Sequence, residues 1–225
     1  MADDAVSKYD LDALNARFEH CEAPEIIKWA VDEFGDDLAM STSFGTDSAV
    51  MLHLATRVKP DVKVIHVDTG FLFAETVEFR EELVRRLNLN LIVYRPVLSL
   101  KAFMAEHGRM WRSSPDACCA FNKREPFERA KRELQIRCWM SGIRREQSAT
   151  RKNAKIVVRD HVGLLKVCPI VKWSARQVHA YLQHNHLPYH PLREGGYPSI
   201  GCCPEEGFCT RRIKPGEDPR AGRWA

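Results

Sequence analysis

Leu11, Leu14 and Phe18, then Ile26, Ile27, Ala30, Val31 and Phe34, recur at helical spacing and predict helices over residues 10–20 and 23–34. The period then changes. Asp37-Leu38-Ala39-Met40 reads as a short strand, and the polar stretch Ser41 to Ser48 hands it over to a helix carrying Ala49, Val50, Leu52, His53 and Leu54. Val62-Lys63-Val64-Ile65-His66-Val67-Asp68 is almost continuously apolar, as expected of a parallel strand covered on both faces. A turn at Asp68-Thr69-Gly70 ends it. Helical spacing returns over 74–88 through Val77, Leu83, Val84 and Leu87, and Leu91-Ile92-Val93-Tyr94 makes a third strand. A helix near 99–107 is followed by an irregular stretch with Trp111, Pro115 and Cys118-Cys119, then by a helix near 124–134 and a strand at Cys138-Trp139-Met140-Ser141-Gly142. Short strands are expected within 155–171, and Ser174 should cap a helix bearing Val178, Tyr181 and Leu182. From Leu187 onward no period is sustained, which predicts an irregular arm folded back over a site or around a cofactor.

This alternation predicts an α/β fold with a doubly wound, mostly parallel sheet, in which ligands collect beyond the carboxyl ends of the strands. The chain divides into N-terminal helices (1–36), a nucleotide-binding α/β domain (37–186) and a cysteine- and arginine-bearing arm of the same domain (187–225). Three segments fall at the ligand edge. In the first, Gly45 permits a tight turn or a close backbone approach, the hydroxyls of Ser41, Ser43, Thr46 and Ser48 can donate, and Asp47 or Ser48 can cap the helix that follows. A helix N-terminus there favours an anion. The second is Asp68-Thr69-Gly70-Phe71. The third, Gly142-Ile143-Arg144-Arg145-Glu146-Gln147-Ser148-Ala149-Thr150-Arg151, is the most cationic.

With 225 residues and 44% hydrophobic content, the chain is long enough for one good core. No run approaches the roughly 18 to 20 apolar residues of a membrane span, and the acidic start Met1-Ala2-Asp3-Asp4 is unlike a secretory signal. A cytoplasmic protein is expected, with no membrane partner. The net charge of +4 is too mild to argue for nucleic acid, whereas basic residues gathered at 109–159 and 211–223 suit a small polyanion. A homo-oligomer is left open.

Eight cysteines are many for a cytoplasmic chain, where clusters of them more often mean metal or redox chemistry than structural disulfides. Cys21, Cys138 and Cys168 lie in apolar or amphipathic surroundings and read as small core residues. The other five form two groups, Cys118-Cys119 and Cys202-Cys203 with Cys209. Zinc or an iron-sulfur cluster would suit four thiolates. Adjacent cysteines in extended backbone diverge, which favours a cluster with separate iron corners over one zinc ion. Reduced thiols or a labile disulfide are the remaining alternatives.

Taken together, Ser43-Phe44-Gly45-Thr46-Asp47-Ser48, Asp68-Thr69-Gly70-Phe71, Cys118-Cys119 with Lys123, Gly142-Ile143-Arg144-Arg145-Glu146-Gln147-Ser148 and Tyr197-Pro198-Ser199-Ile200-Gly201-Cys202 resemble the assimilatory adenylyl-sulfate (APS) and 3'-phosphoadenylyl-sulfate (PAPS) reductases. The resemblance covers about residues 37–223 and implies the PP-loop, or adenine nucleotide alpha hydrolase-like, fold. Paired cysteines mark the cluster-bearing members, which mostly use APS. The resemblance therefore implies a [4Fe-4S] cluster held by Cys118, Cys119, Cys202 and Cys209, with Cys203 as an alternative to Cys202. It also implies reduction of APS to sulfite and AMP by thioredoxin or glutaredoxin, through an S-sulfonated cysteine. Lys123, Arg144, Arg220 and Arg223 are the candidates for stabilising charge on the departing phosphate. Ser41, Ser43, Phe44, Gly45, Thr46, Asp47, Ser48, Asp68, Thr69, Gly70, Phe71, Gly142 and Arg145 are the candidates for holding the nucleotide.

Two departures from the family pattern stand out. The usual second pair is Cys-x-x-Cys, whereas Cys202-Cys203-Pro204-Glu205-Glu206-Gly207-Phe208-Cys209 inserts residues. The family's nucleophile sits in a Glu-Cys-Gly-Leu-His tail downstream of a Gly-Arg-Trp segment, here Gly222-Arg223-Trp224. No residue matches it, and it is expected beyond Ala225. The alternatives are a PAPS reductase, a PP-loop ATP-dependent nucleotidyltransferase needing magnesium, and a non-catalytic iron-sulfur sensor of nucleotide or redox state.

Overall fold

The computed structural model describes residues 9–203 and 209–223. The residues inserted between Cys203 and Cys209, and Trp224, lie outside the described residues. Helices α1 (Leu11–Phe18) and α2 (Ala23–Phe34) come first. The Asp10 carboxylate accepts from the Asp12 and Ala13 amides at 3.0 Å and fixes the start of α1. Glu22 and Glu25 form a reciprocal capping box at α2, whose apolar stripe buries Ile26, Ile27, Ala30 and Phe34. Then follow β1 (Leu38–Thr42), α3 (Ser48–Val58), β2 (Lys63–Val67), α4 (Ala74–Leu87) and β3 (Asn90–Tyr94). After them come α5 (Leu100–His107), α6 (Met110–Ser113), α7 (Pro115–Cys119), α8 (Glu125–Glu133), β4 (Cys138–Ser141), β5 (Val157–Arg159), β6 (Leu165–Val167) and α9 (Ala175–His184).

The six strands lie in the order β3-β2-β1-β4-β6-β5. All neighbours are parallel except β5, which runs antiparallel to β6. β1 pairs with β2 on one side and β4 on the other, Met40 lying beside both Val64 and Met140. The direction of winding reverses between β1 and β4, so the loops after these two strands open a crevice at their carboxyl ends. One face of the sheet packs on α2, α3 and α9 through Met40, Val64, Met51, Leu52 and Val178. On the other face, Ala130 of α8 meets Ala39 and Ile65. At the β5 edge the Asn15 side chain donates to the Val157 carbonyl and accepts from the Ile156 and Val157 amides, occupying edge groups that another strand would otherwise seek.

The stretch around Cys118-Cys119 is helical rather than irregular. A π turn at Ala120–Arg124 joins α7 to α8, so the cysteine pair, Lys123 and α8 belong to one helical run. The divergence expected of neighbours in extended backbone therefore does not apply. Of the isolated cysteines, Cys138 and Cys168 are buried in the main core, whereas Cys21 is partly exposed and its thiol donates to the Arg17 carbonyl.

The far end of that helical run is clamped to the sheet. Asp160 accepts from Lys131 Nζ at 2.6 Å and Trp139 Nε1 at 2.9 Å, and its other oxygen accepts from the Val162 and Leu164 amides. Burial pushes its acidity down, but the hydrogen bonds from Lys131 and Trp139 outweigh it and hold the carboxyl below its ordinary value. The stability this contributes is present above the unfolded carboxyl value of about 4 and is lost as pH falls through the lower folded value. Asp160→Ala removes the shorter of the two ion pairs of Lys131, leaving Glu128 at 3.0 Å, and strips Trp139 Nε1 of its acceptor, so it is expected to cost about 1–3 kcal/mol in urea unfolding at neutral pH. The difference from wild type should shrink on acidification.

Candidate active site

A cleft of about 1250 Å³ opens beyond the carboxyl ends of β1, β2 and β4. Ser41, Ser43, Gly45, Thr46, Asp47 and Ser48 line it from the first loop, Thr69 from the second, Gly142 and Arg144 from the third. Lys123, Cys202, Arg220 and Arg223 close it from the helical run and the arm. The arm is fastened over this opening: Thr46 Oγ1 donates to the Pro198 carbonyl at 2.9 Å, the Cys203 amide to the Phe71 carbonyl at 2.7 Å, and Arg223 Nη1 to the Ile200 carbonyl at 2.5 Å.

Within the first loop the left-handed residue is Phe44, at φ 49°, rather than Gly45. Its buried ring turns away from the cleft and meets His66 edge-on at 5.0 Å. Gly45 therefore serves by leaving room beside the cleft rather than by supplying a positive φ. Neither proposed cap forms. Ser48 Oγ donates back to the Gly45 carbonyl, and Asp47 makes no side-chain bond to its own helix. Asp47 Oδ2 instead accepts from Arg144 Nη2 at 2.5 Å, and Arg193 lies 3.8 Å from Oδ1. Arg144 is further held by the Trp173 carbonyl at 3.2 Å.

Four other sequence candidates stand outside the cleft. Asp68 accepts from the Gly70 amide and pairs with Arg80 and Arg95, so it shapes its turn instead of facing the opening. Gly70, at φ 76°, lies against Leu100. Phe71 belongs to the apolar cluster with Phe103 and Trp111. Arg145 is drawn away by Glu19 and the Ala154 carbonyl. Each is diverted by a partner distant in sequence, which spacing alone does not reveal.

Arg151, the last residue of the cationic segment, also lines the cleft. Burial first, then the nearby Arg220, Arg223 and Arg144, lower its pKa to about 10, and it donates to Gln147 Oε1. Burial likewise pushes Arg220 down, while burial and Arg220 push Arg223 down. Four guanidinium groups thus share one partly desolvated region. Such crowding is costly for the protein alone and is relieved by an anion bearing several oxygens. Gly201 fits closely under Arg223: a Cβ there would overlap the guanidinium. Gly201→Ala should displace Arg223 and lower turnover about 100-fold while melting temperature changes little, as a steady-state assay beside a thermal melt would show.

Behind the cleft lies a small second cavity bounded by Cys118, Cys119, Cys202 and Cys209, with Phe71, Pro115, Asn122, Lys123 and Arg223. Cys203 is not among its walls. Lys123, Cys202 and Arg223 face both cavities and form the partition between them. Thr69 Oγ1 lies 3.2 Å from Cys202 Sγ and accepts from the Phe71 amide, which leaves its hydroxyl hydrogen for the sulfur. Burial raises the Cys118 thiol against a lowering hydrogen bond from Asn122. Burial, then Cys202 and Cys118, push Cys209 up to about 11. Thiols that oppose each other's ionisation become thiolates together only around a cationic centre, so this set fits a metal or cluster chemically. Among the described residues, no three His, Cys, Asp or Glu side chains are gathered as for a single metal ion. No described helix is long and apolar enough to cross a membrane.

A mostly parallel α/β sheet with a cationic crevice at its switch point defines a nucleotide-binding protein of the PP-loop type. Residues 37–208 match the phosphoadenosine phosphosulfate reductase domain. The chain belongs to that family. The phosphoadenosine 5'-phosphosulfate reductase of Xylella fastidiosa strain 9a5c is 45% identical over 217 residues, covering 94% of this chain and 90% of the relative. The phosphate complex of phosphoadenylyl-sulfate reductase from Candida auris superposes with a TM-score of 0.77 at 30% identity, covering 87% of this chain and 95% of that one. Candida glabrata FMN adenylyltransferase shares the fold alone, at 16% identity and a TM-score of 0.63, over 96% of this chain and 73% of that one. The chain is thus an oxidoreductase of the sulfate-reduction family, and its substrate class is a sulfonucleotide.

Proposed function

We propose that the protein reduces APS to sulfite and AMP, with a dithiol protein such as thioredoxin or glutaredoxin as donor and a [4Fe-4S] cluster held by Cys118, Cys119, Cys202 and Cys209. The observation that carries this reading is the partition of Lys123 and Arg223 between a cationic cleft and a cavity bounded by those four thiols. The loop at 43–48, Arg144, Arg151 and Arg220 hold the phosphosulfate. A cysteine thiolate, of the kind the family carries in a Glu-Cys-Gly-Leu-His segment, attacks the sulfur. As the sulfur-oxygen bond breaks, its electron pair passes to the phosphate of AMP, where Lys123 and Arg223 meet the developing charge. A donor thiol then attacks the S-sulfonated cysteine and releases sulfite, and the second donor thiol closes the donor's disulfide. When bound, the cluster would offset part of the charge of its four thiolates with its cationic core and polarise the partition behind Lys123. The cytoplasm, with its reducing thiol pool, is the compartment this chemistry suits.

PAPS is the second reading, favoured by the name of the Xylella fastidiosa relative. The 3'-phosphate requires only a few additional donors, and the paired thiols are what favour APS. The test is to incubate the full-length protein anaerobically with reduced thioredoxin and either nucleotide, and to measure sulfite. A higher kcat/KM for APS supports the proposal, a higher value for PAPS selects the second reading, and no sulfite from either defeats both. Magnesium-dependent turnover of ATP instead would identify a nucleotidyltransferase.

A further inference from the structure

Asn122 stands inside the π turn, is 3% exposed, and its side-chain amide points at Cys118. Nδ2 donates to the Cys118 carbonyl at 3.0 Å and lies 3.5 Å from Cys118 Sγ. The two contacts fix the orientation of the amide. Turned over, it would set Oδ1 against a carbonyl oxygen, two acceptors with no hydrogen between them. With Nδ2 in place, one hydrogen serves the carbonyl and the other is left for sulfur. In an apolar wall of Phe71, Phe103 and Trp111, an amide hydrogen directed at sulfur is worth more than at a wet surface, because water does not compete for it.

We propose that Asn122 is a positioning residue for the metal centre: its amide donates to the Cys118 sulfur, fixes that ligand's rotamer and retains the bound cluster. The inference rests on the cluster reading above. Its chemistry is general, since donors to a ligating group orient it and govern how firmly the metal is held, and hydrogen bonds to sulfur help set a cluster's potential. Asn122 follows Cys118 by four residues, one turn along the helical run, which stacks its side chain over the sulfur, while Lys123 lines the partition.

The experiment compares wild type, Asn122→Leu and Asn122→Asp, each reconstituted anaerobically with iron and sulfide. Iron content, loss of cluster absorbance under excess chelator and midpoint potential are measured. Leucine keeps the volume and removes the donor; aspartate keeps the shape and sets a carboxylate against sulfur. Chelator should strip iron from Asn122→Leu about 10- to 100-fold faster than from wild type, and faster still from Asn122→Asp. The potential should fall in both, with far-UV circular dichroism unchanged. Wild-type loss rates and potentials in both variants would overturn the inference while leaving the cluster reading intact. Failure of wild type itself to take up iron and sulfide would overturn both. If leucine disrupts folding, Asn122→Gln, which retains the donor on a longer stem, must give slower iron loss than Asn122→Asp; equal rates refute the proposal.

Discussion

Cys209→Ser is expected to abolish retention of a cluster and to reduce sulfite formation at least 100-fold. Four thiolates are needed to complete the proposed ligand set, and Cys209 is one of four that bound the inner cavity. A hydroxyl is far less acidic than a thiol, and its hard oxygen is a poorer ligand for a sulfur-bridged iron centre than a thiolate. Cys118→Ser should behave in the same way. Cys203→Ser should retain iron and sulfide, because Cys203 lies outside the inner cavity. Metal analysis of the purified variants checks the contrast directly. Full iron retention in Cys209→Ser, or its loss only in Cys203→Ser, would contradict the assignment.

Lys123→Ala is expected to lower kcat about 100- to 1000-fold, the usual consequence of removing one group that meets transition-state charge. Affinity for AMP should change much less, because Arg144, Arg151 and Arg220 still line the nucleotide side. The measurements are steady-state sulfite release and AMP binding by calorimetry, with cluster content as a control. A large rise in the AMP dissociation constant with unchanged kcat would instead place Lys123 among the ground-state contacts.

The sheet was legible in the chain because each inner strand buries both faces and so spells a nearly unbroken apolar run, as Val64-Ile65-His66 does within β2. The strand ends were expected within a residue or two, and the three loops at the ligand edge follow from them. What stayed hidden depends on partners remote in sequence or on backbone changes with no compositional mark. The π turn after Cys119 leaves the apolar spacing readable but rotates Lys123 relative to the cysteine pair. The positive φ of Phe44 is invisible beside Gly45, the residue type that ordinarily takes such a conformation. Arg144 and Arg145 are chemically identical neighbours, yet one meets Asp47 at the cleft and the other is held by Glu19. Arg151 had a readable signal, its place at the end of the same cationic segment; its closeness to Arg220 and Arg223 did not.

The partition between the two cavities has a consequence for biosynthesis. Cys118 and Cys119 leave the ribosome long before Cys202 and Cys209, and Arg223 emerges later still. The nascent chain can complete its sheet through α9 while one half of the thiol set waits without its counterpart. If the proposed four-thiol centre is present, its loading belongs after translation of this arm, and until then Cys118 and Cys119 would depend on a reducing surrounding to remain competent ligands.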